Sequence, residues 1–123
     1  MLTIGKQFRF EAAHNLPEHN GKCRNLHGHS YMLEVCLSGR DLHNEGPQKG
    51  MLLDFGILGT IVRREIVDKL DHTNLNESFG ANPTAENMAS EFAYTIRSEL
   101  DSTITSITVR VWETETSWAE CTI

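Results

Sequence analysis

The chain has 123 residues, 39% of them hydrophobic and 23% charged, enough for one domain-sized core and too apolar for a disordered or fibrous chain. With 11 Lys and Arg against 17 Asp and Glu the net charge is -6, so neither nucleic acid nor an anionic membrane surface is an expected partner, since both are bound by clustered cations. No run approaches the roughly 20 apolar residues of a membrane span, Met1–Ile4 does not open a secretory leader, and Cys23, Cys36 and Cys121 are too few and too scattered for a disulfide framework; the cytoplasm is the expected compartment.

Residues 2–12 alternate, with Leu2, Ile4, Phe8, Phe10 and Ala12 on one parity, which predicts a half-buried strand whose inward face continues to His14. Pro17, Asn20 and Gly21 mark residues 15–24 as a loop. The same period returns from His27 to Leu37. His27, His29, Tyr31, Leu33, Val35 and Leu37 share one face, with Met32, Glu34 and Cys36 on the other. After a polar stretch around Gly46-Pro47, a helix is predicted from an Asp54 N-cap through Leu58, Ile61, Val62, Ile66 and Leu70. Residues 71–83 read as a loop rich in Asn and Gly. A second helix follows from about Thr84 to Leu100, capped by Asn82 or Thr84, with Pro83 suited to its first turn. Ile107, Val109, Val111 and Glu113 share the parity of a third strand, and residues 117–123 form its hairpin partner across Thr114-Glu115-Thr116. The expectation is one α+β domain over residues 1–123. Its order is β-β-α-α-β-β, with a four-stranded antiparallel sheet and two helices on one face.

The segment Cys23-Arg24-Asn25-Leu26-His27-Gly28-His29 is the sharpest chemical feature. Two histidines one residue apart on a strand point to the same face, and His14, ending another strand on its inward face, can add a third imidazole. Three histidines with an open fourth position describe a catalytic zinc site, whereas structural zinc sites are usually closed by four ligands. Isolated histidines are more often ordinary core or surface residues, but three at strand ends with matching parity outweigh that reading. Cys23, in a loop beside a cation, is read first as a reactive thiol able to act as a general base and second as a metal ligand. Cys36 and Cys121 are packing residues. Asp71-His72 is either a proton relay, in which a carboxylate orients an imidazole, or a turn that ends a helix, and residue types alone favour the turn. Glu113 continues an apolar face, so its charge needs a partner. An Arg would serve, and so would the amino-oxo edge of a pterin or guanine ring.

Phe10-Glu11-Ala12-Ala13-His14, Cys23-x-x-x-His27-Gly28-His29, Leu53-Asp54-Phe55, Leu70-Asp71-His72, Asn82-Pro83-Thr84-Ala85-Glu86-Asn87 and Val111-Trp112-Glu113-Thr114 together resemble the 6-pyruvoyltetrahydropterin synthase family, in the family's order and over nearly the whole chain. The three-residue gap between Cys23 and His27 looks like the branch that makes 6-carboxy-5,6,7,8-tetrahydropterin for queuosine biosynthesis. The resemblance implies a tunnelling fold whose subunits join in a trimeric barrel, two of which stack into a homohexamer. It also implies one Zn2+ per subunit on His14, His27 and His29, Cys23 as proton acceptor, Asp71-His72 as relay, Glu113 as anchor of the pterin ring, and Thr84 and Glu86 beside it. The implied substrate is 7,8-dihydroneopterin triphosphate, cleaved with release of acetaldehyde and triphosphate. Alternatives are pyruvoyl-forming or aldolase chemistry on the same class of substrate, a zinc hydrolase that does not need Cys23, and a noncatalytic zinc-binding protein. Lys6, Arg9, Lys22 and Arg24, or residues of a neighbouring subunit, are the candidates for the triphosphate.

Overall fold

The computed structural model describes residues 1–123. In chain order its elements are β1 (Leu2–His14), a 3-10 turn (Lys22–Arg24), β2 (His27–Gly39), α1 (Phe55–Val62), a π-helical turn (Arg63–Val67), α2 (Asp68–Leu70), β3 (Thr73–Asn74), α3 (Leu75–Ser78), α4 (Ala85–Ser98), β4 (Ile104–Trp112) and β5 (Trp118–Thr122). The sheet order is β3-β1-β2-β4-β5.

The alternation in the first two strands sets their register. β1 and β2 run antiparallel without a break from Leu2 opposite Gly39 to His14 opposite His27. Phe8, Phe10, Ala12 and His14 are buried on one side of β1 and meet the buried Tyr31, Leu33, Val35 and Leu37 of β2. β4 adds Ile107, Val109 and Val111 to that face. At the far end of β2 the pairing shifts at Ser38/Gly39. A Cβ on Gly39 would lie 2.6 Å from both Leu52 Cδ1 and the Thr103 carbonyl, so the close approach there requires glycine.

Helices cover this apolar face. Asp54 caps α1 by accepting from the Gly56 N–H at 2.6 Å, and α1, the π turn and α2 follow one another without interruption. The looser π turn keeps Val62, Ile66 and Leu70, spaced at every fourth residue, buried on one side. Thr84 caps α4, which buries Ala85, Met88, Ala89, Phe92, Ala93 and Ile96 in the same 23-residue core cluster as the sheet. No helix is long and apolar enough to cross a membrane.

The sheet departs from the four antiparallel strands expected. Residues 71–83 are not simply a loop: Thr73–Asn74 pairs parallel to Ala12–Ala13 as a fifth strand, and Leu75–Ser78 forms a helical turn. Two residues carry no readable period, and the pairing is completed by side chains, so the sequence pattern could not show it. Asn82 is not the α4 cap but adopts a left-handed backbone at φ 59. Pro83 precedes the cap instead of opening the helix. Leu2, at the start of β1, is 50% exposed because the core ends before it. Beyond β3 the outer edge of β1 has no pairing partner within the chain, and neither does β5 on its far side.

Candidate functional site

The β1–β2 register brings three imidazoles together. His14 sits opposite His27, and cross-strand neighbours on one face lie within side-chain reach. His29, two residues on, returns to that face, and the ring centroids of the three histidines are 4.7 to 5.1 Å apart. Glu113 directly follows the last residue of β4. The β2–β4 ladder ends with Met32 opposite Trp112, which sets Glu113 near the Tyr31 end of the histidine row, with Oε1 3.1 Å from His29 Nε2. One ligand atom from each of His14, His27, His29 and Glu113 lies within 4.8 Å of the others, so the group could hold a metal ion.

Hydrogen bonding outside the cluster fixes what the rings present inside it. His14 Nδ1 is 2.8 Å from the Pro83 carbonyl and His27 Nδ1 is 2.8 Å from the Asn25 carbonyl. A carbonyl only accepts, so each Nδ1 carries the proton and each Nε2 presents a lone pair. Those two Nε2 atoms face each other at 3.1 Å, which leaves two lone pairs in opposition when both rings are neutral. His29 Nε2 is buried, out of hydrogen-bond alignment with Glu113 and without any other partner. Two opposed acceptor nitrogens beside a third, orphaned ring nitrogen fit a cation and fit an apolar or hydrogen-bonded core poorly. His14 itself has no exposed surface.

The electrostatics agree. Burial lowers the His29 pKa from its ordinary value, Glu113 opposes that shift, and His14 and His27 add to it. Tyr31, whose hydroxyl lies 3.4 Å from His14 Nδ1, is pushed well above the usual phenol range, first by burial and then by Glu113.

The remaining predicted residues lie outside the cluster. Asp71 and His72 do pair, with Asp71 Oδ2 3.0 Å from His72 Nδ1. Asp71 also accepts from the Glu11 N–H at 2.9 Å, and this bond, followed by His72, holds its carboxyl below the usual range. His72 has a left-handed backbone at φ 59 and an exposed ring, and it lines an open hollow of about 490 Å³ together with His29, Glu11 and Ser30. Cys23 lies half-buried as a free thiol on the 3-10 turn, outside the four-atom group. Thr84 Oγ1 accepts from the Asn87 N–H at 3.2 Å as the α4 cap, and Glu86 is exposed in that helix's first turn.

A sequence model described as 6-pyruvoyl tetrahydropterin synthase matches residues 3–123. The chain belongs to this family. A relative from Haemophilus influenzae named 6-carboxy-5,6,7,8-tetrahydropterin synthase is 40% identical, with 98% of each chain covered. Another of that name from Synechocystis is 44% identical over 72% of this chain and 70% of its own. Among solved structures, the Caenorhabditis elegans 6-pyruvoyl tetrahydropterin synthase superposes with a TM-score of 0.78 at 27% identity, over 98% of this chain and 94% of that one. The Plasmodium falciparum enzyme of the same description, at 18% identity and TM-score 0.74, shares the fold. The tunnelling fold of these pterin synthases is therefore the architecture of this family member.

Sequence reasoning missed the groups that orient the site. The Pro83 and Asn25 carbonyls are backbone partners with no distinctive residue pattern. Only the adjacency of Asn82-Pro83 to a predicted cap hinted that this turn was constrained.

Proposed function

We propose that the chain is a zinc-dependent 6-carboxy-5,6,7,8-tetrahydropterin synthase. It would convert 7,8-dihydroneopterin triphosphate and one water to 6-carboxy-5,6,7,8-tetrahydropterin, acetaldehyde and triphosphate, on the route to queuosine. The observation that carries this reading is the convergence of the Nε2 lone pairs of His14 and His27 with the orphaned Nε2 of His29. The names of the Haemophilus influenzae and Synechocystis relatives supply the product.

His14, His27 and His29 are the zinc ligands. Zn2+ held there supplies Lewis-acid polarisation of the substrate's side-chain hydroxyls. Cys23 accepts a proton from the side chain, and His72 returns one, its ring held by the Asp71 carboxylate. Glu113 binds the amino-oxo edge of the pterin through two parallel N–H bonds, and Thr84 and Glu86 border the ring. The hollow beside His29 and His72, about 490 Å³, is within the range of small-molecule sites. The unpaired outer edges of β1 and β5 favour a homo-oligomer, a dimer of trimers in which neighbouring subunits complete the site and help hold the triphosphate. The protein acts in the cytoplasm as a single domain spanning residues 1–123.

One observation favours a second reading. Glu113 Oε1 is within the four-atom group, so Glu113 as a fourth ligand would close the site and make it a noncatalytic metal centre. Mass spectrometry of the products from zinc-loaded protein and 7,8-dihydroneopterin triphosphate separates these. The carboxy product with acetaldehyde supports the proposal, a pyruvoyl product or an aldol fragment moves the chain to another branch of the family, and an untouched pterin favours the closed site.

A further inference from the structure

We propose that Asn76 is a positioning residue for Cys23, acting as a side-chain clamp on the loop that carries the thiol; this rests on Cys23 being the proton acceptor. The parallel pairing of β3 with β1 covers only Ala12 with Thr73 and Ala13 with Asn74. Side chains extend it at both ends. On one side Asp71 accepts from the Glu11 N–H at 2.9 Å and the His72 N–H donates to the Glu11 carbonyl at 2.5 Å. On the other, Asn76 Oδ1 accepts from the Asn15 N–H and Asn76 Nδ2 donates to the Asn15 carbonyl, both at 2.9 Å. Only one orientation of the amide satisfies both bonds, so a single side chain does the work of a strand neighbour.

Asn15 is the point where this matters. It directly follows the buried His14 and begins the segment that runs to Cys23. Within that segment the Leu16 N–H donates to the Cys23 carbonyl at 2.8 Å, and Asn15 Nδ2 lies 3.5 Å from the Arg24 carbonyl. Fixing the Asn15 backbone therefore fixes the origin of both contacts. Asn76 is itself immobilised. Its N–H donates to Asn74 Oδ1 at 3.0 Å, and its neighbour Leu75 is fully buried. Along one short rail the chain ties together His72 at one end, the zinc ligand His14 in the middle and the Cys23 loop at the other. His14 has its own anchors in the Pro83 carbonyl and the β1–β2 ladder. Loss of the Asn76 clamp should therefore displace Cys23 while leaving the metal site standing.

The test uses the full-length, zinc-loaded protein with Asn76→Ala and Asn76→Asp beside wild type. Aspartate keeps the acceptor for the Asn15 N–H and loses the donor to its carbonyl, and it provides a variant of unchanged size should alanine fail to fold. Turnover of 7,8-dihydroneopterin triphosphate, zinc content and the rate of iodoacetamide labelling at each cysteine, mapped by peptide mass spectrometry, are measured together. The clamp predicts kcat lowered about 10- to 100-fold in Asn76→Ala and by less in Asn76→Asp. It also predicts KM within about twofold, one zinc per chain, and a changed labelling rate at Cys23 but not at Cys36 or Cys121. Unchanged kcat, or unchanged Cys23 labelling, in folded variants overturns it. If wild type itself leaves the pterin untouched, the functional reading fails, and the labelling of Cys23 still decides whether Asn76 positions the loop.

Discussion

Glu113→Gln separates the two roles that the geometry offers this carboxylate. The substitution keeps the size of the side chain and removes its charge. Glu113 is half-buried, and a hydrogen bond to a charged group in such a setting contributes about 1.5–3 kcal/mol. As the anchor of the pterin edge, Glu113 exchanges two charge-assisted acceptor sites for one neutral acceptor and a donor that opposes the ring's N–H. Binding should weaken by that amount, about 10- to 150-fold in kcat/KM. Zinc affinity should move little, because three imidazoles remain. Steady-state kinetics on 7,8-dihydroneopterin triphosphate give the first quantity, and competition with a chromogenic chelator gives the second. A variant that binds zinc far more weakly while KM for the pterin is unchanged refutes the anchor role and makes Glu113 a ligand.

Zinc should also stabilise the fold, since the three imidazoles converge only in the folded chain. At a free concentration about a thousandfold above Kd the gain is roughly 4 kcal/mol, or about 12–20 °C in Tm at about 3–5 °C per kcal/mol for a chain of this size. Calorimetry at fixed protein concentration, with zinc and with chelator, measures it, and His14→Ala should abolish the difference. In metal-free protein the pH response has a definite sign. Burial holds the folded-state pKa of His29 below its unfolded value, with Glu113 opposing, so the unfolded chain takes up the proton first as pH falls. The stability associated with neutral His29 is complete above about pH 6.5 and is lost as pH falls through that value toward the folded one. Thermal melts of chelator-treated protein should show the loss, and His29→Gln should flatten it. Thr84→Ala removes the acceptor for the Asn87 N–H and should cost about 1 kcal/mol of stability, read as a lower denaturant midpoint. Thr84→Ser should retain the cap, and a rise in KM for the alanine variant alone would show that the hydroxyl also meets the pterin.

The fold was legible where burial imposes a period. Alternation in β1, β2 and β4 and the apolar spacing in α1 and α4 follow from one face of each element meeting the core. The convergence of His14, His27 and His29 was legible for the same reason, since strand parity decides which side chains share a face. What escaped was the structure held by isolated polar bonds. β3 has two residues, Asn82 and His72 adopt left-handed backbones, and the Pro83 carbonyl reaches His14 across 69 residues of sequence. None of these leaves a repeating signal, because each is decided by one partner brought close by the rest of the fold. The π turn was hidden differently: an apolar spacing of four suits either helix type.

The most direct test of the zinc, thiol and pterin account is turnover of 7,8-dihydroneopterin triphosphate by wild type and Cys23→Ala, with zinc content measured on the same samples. The account predicts 6-carboxy-5,6,7,8-tetrahydropterin and acetaldehyde from wild type, and no product from Cys23→Ala although that variant retains its zinc. A zinc-loaded wild type that leaves the pterin unchanged, or a Cys23→Ala variant that turns over at the wild-type rate, would contradict it.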